Sequence, residues 1–187
     1  TSFRHALFQT VSIASTTGFA SSDFNLWPDF SRYVLLLLMF VGGCSGSTAG
    51  GMKVSRFVIL LKVTWAELRR TIHPRLVYSI KMGGRNVPPV VVGNVTRFFY
   101  LYMIVFSTLT LLISLTGISM LDSMGIIAAC MSSVGPAFGI VGPTATYADV
   151  STFGRLVVIA AMILGRLEIF TLLIIMRPDF WRVKRNW

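Results

Sequence analysis

The sequence has 187 residues, of which 54% are hydrophobic and 13% are charged, whereas soluble domains average about 25% charged residues. This composition excludes an ordinary soluble protein and indicates a chain embedded in lipid. The net charge of +10 does not indicate a nucleic-acid partner, because 13 of the 17 basic residues lie in two segments, 53–97 and 177–185, that border apolar stretches, as cytoplasmic loops of membrane proteins do.

The first predicted element is a short apolar helix from Ala6 to Ser15, followed by the turn Thr16 to Phe19. A bilayer span needs about 20 apolar residues, and runs of about 10–14 indicate re-entrant or buried segments. We therefore predict that this helix enters the membrane without crossing it. The chain opens without an initiator Met, so we expect it to begin inside a larger protein.

The first predicted span runs from about Tyr33 to Gly51, but its second half, from Gly42 onward, contains five glycines. Each interior glycine costs about 1 kcal/mol against alanine, so we predict a broken helix there. Broken backbone at membrane depth must line a cavity or be buried in protein. The alternative is a helix-packing face of the GxxxG kind, because Gly42, Gly46 and Gly50 have that spacing.

The basic segment 53–97 is predicted to be a cytoplasmic or interfacial loop. Its first part, Val54 to Arg70, alternates apolar and basic residues at helical spacing, which favours a helix at the membrane surface. A second, nearly charge-free span is predicted from about Phe98 to Gly117.

A second short apolar helix, Met124 to Val134, ends in the turn Ser133 to Pro136 and leads to a third span, Gly154 to Met176. Arg166 interrupts this span, and Glu168 is a poor intrahelical partner for it. A charge in mid-membrane costs about 2.5–3.5 kcal/mol, so Arg166 should face water or a partner. The alternative is a structural ion pair with another repeat of the protein.

These elements form an internal repeat of short helix, glycine turn and span. Gly18 aligns with Gly135, and six residues are inserted in the second loop. Internal duplication is common in membrane transport proteins. If the basic segments are cytoplasmic, both turns are approached from outside, and the C-terminus is cytoplasmic. Four acidic residues then lie in the outer loops: Asp23, Asp29, Asp122 and Asp149.

The two glycine turns have a chemical interpretation. Gly18 and Gly135 permit positive φ angles, which turn consecutive carbonyl oxygens toward one axis. A cation pathway uses such backbone because carbonyl oxygens replace the hydration shell of the ion. We interpret the turns as parts of an ion filter. The alternative, on the glycines alone, is a pair of ordinary tight turns between helices.

Five motifs carry a family resemblance: SIASTTGFA (12–20), GGCSGSTAGGMKV (42–54), IHPR (72–75), SSVGPAFGIVGP (132–143) and ILGRLEIFTLL (163–173). The chain resembles the Trk/Ktr/HKT superfamily of K⁺ transporters, and within it the Trk-type membrane subunits. The resemblance implies an all-α membrane protein in which four M1–pore loop–M2 repeats, with re-entrant pore helices, surround one pathway. This chain would hold two repeats, the first without its M1. The implied divisions are 1–52 (third-repeat pore helix, filter and broken M2), 53–97 (basic loop), 98–176 (fourth repeat) and 177–187 (basic cytoplasmic C-terminus).

The resemblance also implies two filter strands and a gate. The first strand is Thr16, Thr17, Gly18 and Phe19, and the second is Ser133, Val134, Gly135 and Pro136. K⁺ would be held by the backbone carbonyls of Thr16, Thr17, Ser133 and Val134. The gate would be an intramembrane loop that obstructs the pore below the filter, opposed by Arg166. The loop residues are Gly42, Gly43, Cys44, Ser45, Gly46, Ser47, Thr48, Ala49, Gly50 and Gly51.

The implied function is K⁺ uptake across a bacterial inner membrane, with K⁺ as the transported ion and no organic cofactor in this chain. The implied partners are the remaining repeats of the same polypeptide, a second copy in a homodimer, the lipid bilayer, and a cytoplasmic nucleotide-binding regulatory subunit facing segment 53–97. Two other functions stay open: a secondary transporter that binds a small solute at the broken helix, and a non-transporting membrane assembly protein.

An enzyme is not expected, because the sequence has no phosphate-binding loop, nucleophile elbow or paired nucleophile and base. Cys44 and Cys130 lie in apolar stretches without metal-ligand spacing, so both are expected to be buried free thiols.

Overall fold

The structure is a computed structural model, and it describes residues 2–44, 46–47, 49–73 and 79–167. Several sequence predictions lie outside these residues. They concern Ser45 and Thr48 of the predicted gate, Glu168, the third span beyond Leu167, and the basic C-terminus 177–187.

Helices make up most of the described chain, so the predicted mainly helical architecture is confirmed. The helices are α1 (Ser2–Ala14), α2 (Asp29–Phe40), α3 (Val54–Ile72), α4 (Pro89–Ser114), α5 (Met120–Met131) and α6 (Thr152–Arg166). Single 3-10 turns follow the two short helices, at Phe24–Leu26, Gly139–Val141 and Tyr147–Asp149.

Two small strand pairs were not predicted, because two-residue strands have no alternating pattern that a sequence can reveal. Strand β1 (Val41–Gly42) pairs in parallel with β2 (Met52–Lys53), and β3 (Lys81–Met82) pairs antiparallel with β4 (Arg85–Asn86). The first pair matters for the site, because it closes the neck of the glycine-rich segment, residues 42–51.

The second predicted span has different bounds in the structure. Helix α4 begins at Pro89, well before the predicted Phe98 and inside the predicted loop 53–97. Proline is accommodated in the first turn of a helix, because an N–H group there would have no intrahelical partner. Within the described residues, α4 is the helix that is long and apolar enough to cross a membrane.

Helix α5 also differs from its predicted range, 124–134. The Ser119 side chain caps the helix by accepting a hydrogen bond from the Asp122 N–H, so α5 starts one turn earlier. It ends at Met131, because Ser133 adopts a left-handed backbone with φ +57°. Residues 125–131 of α5 are all buried, and α4 and α6 pack against this helix.

The two cysteines differ in exposure. Cys130 is buried in α5, as predicted, but Cys44 is exposed. The prediction for Cys44 was wrong because apolar neighbours in the sequence do not cover a residue that stands in a loop between broken helix ends.

Candidate functional site

The first turn (Thr16–Phe19) and the second turn (Ser133–Pro136) are closed by the same backbone hydrogen bonds. The bonds are Thr16 N–H to Ile13 O (3.0 Å), Thr17 N–H to Ser12 O (2.9 Å), Ser133 N–H to Cys130 O (3.2 Å) and Val134 N–H to Ala129 O (2.9 Å). This is the Schellman arrangement, which needs a left-handed residue just after the helix. Thr16 (φ +55°) and Ser133 (φ +57°) take that role, where glycine is usual.

Each turn contains a second left-handed residue two positions on, Gly18 (φ +79°) and Gly135 (φ +101°). Successive carbonyls of an extended strand point to opposite sides, and left-handed residues reverse that alternation. A β-branched residue such as Thr16 is strained in this conformation. Strained backbone persists only where the surrounding structure holds it, and it is concentrated at functional sites.

The two turns meet each other. The backbone of Gly18 lies so close to the Val134 carbonyl that a Cβ at Gly18 would overlap with the carbonyl oxygen, and it would stand 3.1 Å from Cδ of Pro136. Residues that are more than a hundred positions apart in sequence are therefore brought into direct backbone contact at Gly18, one of the two predicted filter glycines.

The carbonyl oxygens of the turns divide into two sets. The Phe19 carbonyl accepts a hydrogen bond from the Ser12 hydroxyl (2.6 Å), and the Gly135 carbonyl accepts one from the Tyr147 hydroxyl (2.7 Å). Within the described part of the chain, no hydrogen bond ends on the Gly18 and Pro136 carbonyls, nor on four others, those of Thr16, Thr17, Ser133 and Val134. These are the four oxygens that the resemblance assigns to K⁺.

Tyr147 supports the second turn from outside the helices. Burial, and then the neighbouring Cys130, raise the pKa of its hydroxyl, so the group stays protonated and donates to Gly135. Its single proton is used in that bond, so the Cys130 thiol, 3.4 Å away, donates to the tyrosine oxygen.

A second set of contacts ties the two outer loops together. The side chain of Asn25 donates to the Gly139 carbonyl (3.4 Å) and accepts from the Gly139 N–H (3.0 Å). Arg32 lies 3.8 Å from the Asp122 carboxylate and 5.5 Å from the centre of the Phe138 ring. These contacts link the loop that follows the first turn to the elements around the second, and so they maintain the spacing of the turns.

The glycine-rich segment interrupts a helix, as its composition predicts. Helix α2 ends at Phe40 and α3 begins at Val54. Gly42, Gly46 and Gly50 are not helical, so the alternative of a helix-packing GxxxG face does not apply to them.

The described part of this segment packs against the start of the second turn and the residue before it. Gly50 packs so tightly against the Ser132 carbonyl that a Cβ there would overlap with it, and a Cβ at Gly51 would stand 3.1 Å from the Ser132 hydroxyl. A cavity of about 340 Å³ adjoins the segment, and Arg166 lines this cavity together with Lys53. The structure thus brings Arg166 and five of the predicted gate residues to one cavity; the five are Gly46, Ser47, Ala49, Gly50 and Gly51.

Sequence reasoning missed the residues that act between distant segments. Lys53 was counted among the basic residues of the cytoplasmic loop, and no motif singled out Tyr147 or Asn25. The one available signal for Lys53 was its place at the end of the GGCSGSTAGGMK motif. In the described residues, no cluster of three or more His, Cys, Asp or Glu side chains is placed to hold a metal ion.

Comparisons with known proteins agree on one family. The profile of the TrkH family, described as cation transport protein, matches residues 1–182. The chain is 46% identical over 180 residues to the Trk system potassium uptake protein TrkH of Vibrio parahaemolyticus. It is 36% identical over 181 residues to the Trk system potassium uptake protein TrkG of Escherichia coli.

These alignments cover 96% and 97% of this chain but 37% of each relative, so the chain spans little more than a third of the length of the curated relatives it matches. The crystal structure of the potassium transporter TrkH from Vibrio parahaemolyticus matches the fold with a TM-score of 0.86 at 45% sequence identity. That match covers 96% of this chain and 38% of the other.

Proposed function

The chain belongs to the TrkH family of cation transport proteins, and from this premise we propose that it carries two pore repeats of a protein that takes up K⁺ across a membrane. The predicted family is confirmed, and because the family is one of transporters, so is the expectation that the chain is not an enzyme. The remaining repeats would be supplied by the same, longer polypeptide.

One observation carries the ion-filter proposal. The carbonyls of Thr16, Thr17, Ser133 and Val134 accept no hydrogen bond from the described residues, and neither do those of Gly18 and Pro136, whereas the Phe19 and Gly135 carbonyls do. Buried backbone carbonyls in folded proteins are nearly always paired, and Val134 is buried. Carbonyls that accept no hydrogen bond can bind an ion instead, as in a pathway where backbone oxygens replace the hydration shell of the ion. This favours the filter over ordinary tight turns.

The glycine-rich segment is proposed to be the gate. Its contact with Ser132 lies directly below the second turn, and the cavity beside it is lined by two cationic side chains, Lys53 and Arg166. Positive charge on a cation pathway is an electrostatic barrier. A movement of the segment away from Ser132 would open the space below the filter.

The membrane setting and the partners follow from the same premise. We place the protein in a bacterial inner membrane with segment 53–97 on the cytoplasmic side, where its basic residues match the positive-inside rule. The relatives are named as proteins of a Trk system. By analogy, a cytoplasmic nucleotide-binding regulatory subunit would engage the basic segment, and the protein would act as a homodimer.

A glycine substitution tests the filter. Gly135→Ala in the full-length protein is expected to reduce K⁺ uptake about tenfold, because a left-handed backbone costs an alanine about 1–2 kcal/mol, and relief of that strain would rotate the neighbouring carbonyls. A Cβ at Gly135 meets no atom within 4 Å, so the change acts on the backbone and not on packing. Uptake is measured with purified protein in K⁺-loaded and K⁺-free liposomes.

Gly117→Ala is the matched control. Gly117 also has positive φ (+89°) with open space around it, but it lies between α4 and α5, away from the turns. Uptake by this variant should stay near that of the parent protein. Equal uptake by both variants would contradict the filter, and inhibition of the flux by small organic solutes would favour the secondary transporter.

Tyr147→Phe is expected to weaken ion selection without abolishing transport. The change removes the hydrogen bond to the Gly135 carbonyl, and such a bond contributes about 0.5–1.5 kcal/mol. The ratio of K⁺ to Na⁺ flux should fall about two- to tenfold, because the second turn loses its outer support. An unchanged ratio would mean that the packing around Gly135 holds the turn without the hydroxyl.

A further inference from the structure

Lys53 makes contacts that a solvated lysine of a basic loop would not make. Its ammonium group donates one hydrogen bond to the Ser47 carbonyl (2.7 Å) and another to the Ala49 carbonyl (2.6 Å). Both acceptors belong to the glycine-rich segment. The residue itself lies at the neck of that segment, where β2 pairs Lys53 with Gly42 of β1.

The chemistry of these contacts resembles that of a bound alkali ion. A lysine ammonium is a compact monovalent cation with three donors and no acceptor. Backbone carbonyls that accept from it are the same kind of ligand that would replace water around K⁺. The Lys53 ammonium is hydrogen-bonded to two carbonyls of the glycine-rich segment, and a cation that passed the segment could otherwise contact these carbonyls.

Other contacts also hold the segment: the Ser47 N–H donates to the Cys44 carbonyl (3.0 Å), and Gly50 packs against the Ser132 carbonyl. Gly46 and Gly51 are left-handed, and a Cβ at Gly46 would meet no atom within 4 Å. A glycine-rich chain has high conformational freedom. Hydrogen bonds to charged groups are stronger than neutral ones. The two bonds from Lys53 therefore contribute strongly to holding the glycine-rich segment in place.

We propose that Lys53 is a positioning residue of the gate: as a tethered cation, it latches the glycine-rich segment in its closed form through the Ser47 and Ala49 carbonyls. The inference rests on the proposed function of the segment as a gate. Opening then requires these carbonyls to leave the ammonium. Arg166 lines the same cavity, so a second cationic side chain stands beside the latch.

The test is the basal flux of the full-length protein without any regulatory subunit or nucleotide. Lys53→Met removes the charge and both hydrogen bonds to the segment, and it replaces the lysine with an unbranched side chain of similar length. We expect basal ⁸⁶Rb⁺ flux into liposomes to rise about tenfold. Lys53→Arg keeps a charged donor and should restore the low flux, and Lys53→Gln should lie between them. A loss of folded protein lowers flux, so misfolding cannot imitate a rise.

Lys62→Met is the matched control. Lys62 lies on α3, the helix that follows Lys53, and its ammonium also donates to a backbone carbonyl, that of Lys81, outside the glycine-rich segment. Its removal should leave basal flux unchanged. The ratio of K⁺ to Na⁺ flux in Lys53→Met should also stay at the parent value, because the filter turns are untouched.

The outcomes separate the latch from the proposed function. If Gly135→Ala reduces transport but neither Lys53→Met nor Lys53→Gln raises basal flux, the latch is wrong and the transport proposal stands. The latch is equally overturned if Lys62→Met raises flux as much as Lys53→Met. If Gly135→Ala leaves transport unchanged, the proposed function fails first, and the latch fails with it.

Discussion

Gly18→Ala is expected to lower K⁺ uptake by the full-length protein at least about a hundredfold, since displacements of about 1 Å in a functional site have effects of that size. Two penalties combine at this position. The backbone has φ +79°, which is strained for alanine, and the new Cβ would overlap with the Val134 carbonyl oxygen. Because the neighbour is backbone and not a flexible side chain, relief requires one filter turn to move away from the other.

Gly84→Ala separates these two penalties. Gly84 has the same φ, +79°, but a Cβ there would meet no atom within 4 Å. Both variants are compared by ⁸⁶Rb⁺ uptake at equal amounts of folded protein in the membrane. Gly84→Ala should transport normally. If Gly18→Ala also did so, the contact between the turns would have no part in the pathway.

Gly165→Ala is expected to destabilise the fold by about 3 kcal/mol, at the upper end of the usual cost of overpacking. The added Cβ would overlap with the Met131 carbonyl at the end of α5 and would stand 2.7 Å from the Met131 Cα. Helix α6 would have to move away from α5, which carries the second turn. The melting temperature of the detergent-solubilised protein, followed by gel filtration after heating, measures the effect.

Gly93→Ala is the control for helix composition. Gly93 lies within α4, and a Cβ there would have open space. Alanine is a better helix former than glycine by about 1 kcal/mol, so this variant should be as stable as the parent protein or slightly more stable. A melting temperature for Gly165→Ala equal to that of Gly93→Ala would contradict close packing of α6 on α5.

The cross-loop contacts of Asn25 and Arg32 explain why strained turns can persist. A left-handed Thr16 and Ser133 would relax in an isolated peptide, but each turn is held between a capped helix and an outer loop. The same rigidity would make the proposed filter sensitive to changes at a distance, such as the loss of the Tyr147 hydroxyl.

The sequence alone determined those features that depend on local chain physics. Glycines at 18 and 135 mark turns because few other residues accept positive φ, and five glycines within ten residues cannot continue a helix. The part of α4 that follows Arg97 carries no charge, which favours a lipid environment. The family could also be inferred from the sequence, because its motifs contain these glycines.

Only the tertiary structure decided which of these features meet. The contact of Gly18 with Val134 and the bond from Tyr147 to Gly135 depend on how helices pack, and no local pattern encodes the distance between segments. Lys53 illustrates the limit: in the sequence it is one of many basic residues beside a span. Its two carbonyl partners exist because the β1–β2 pair folds the glycine-rich segment back over its own neck.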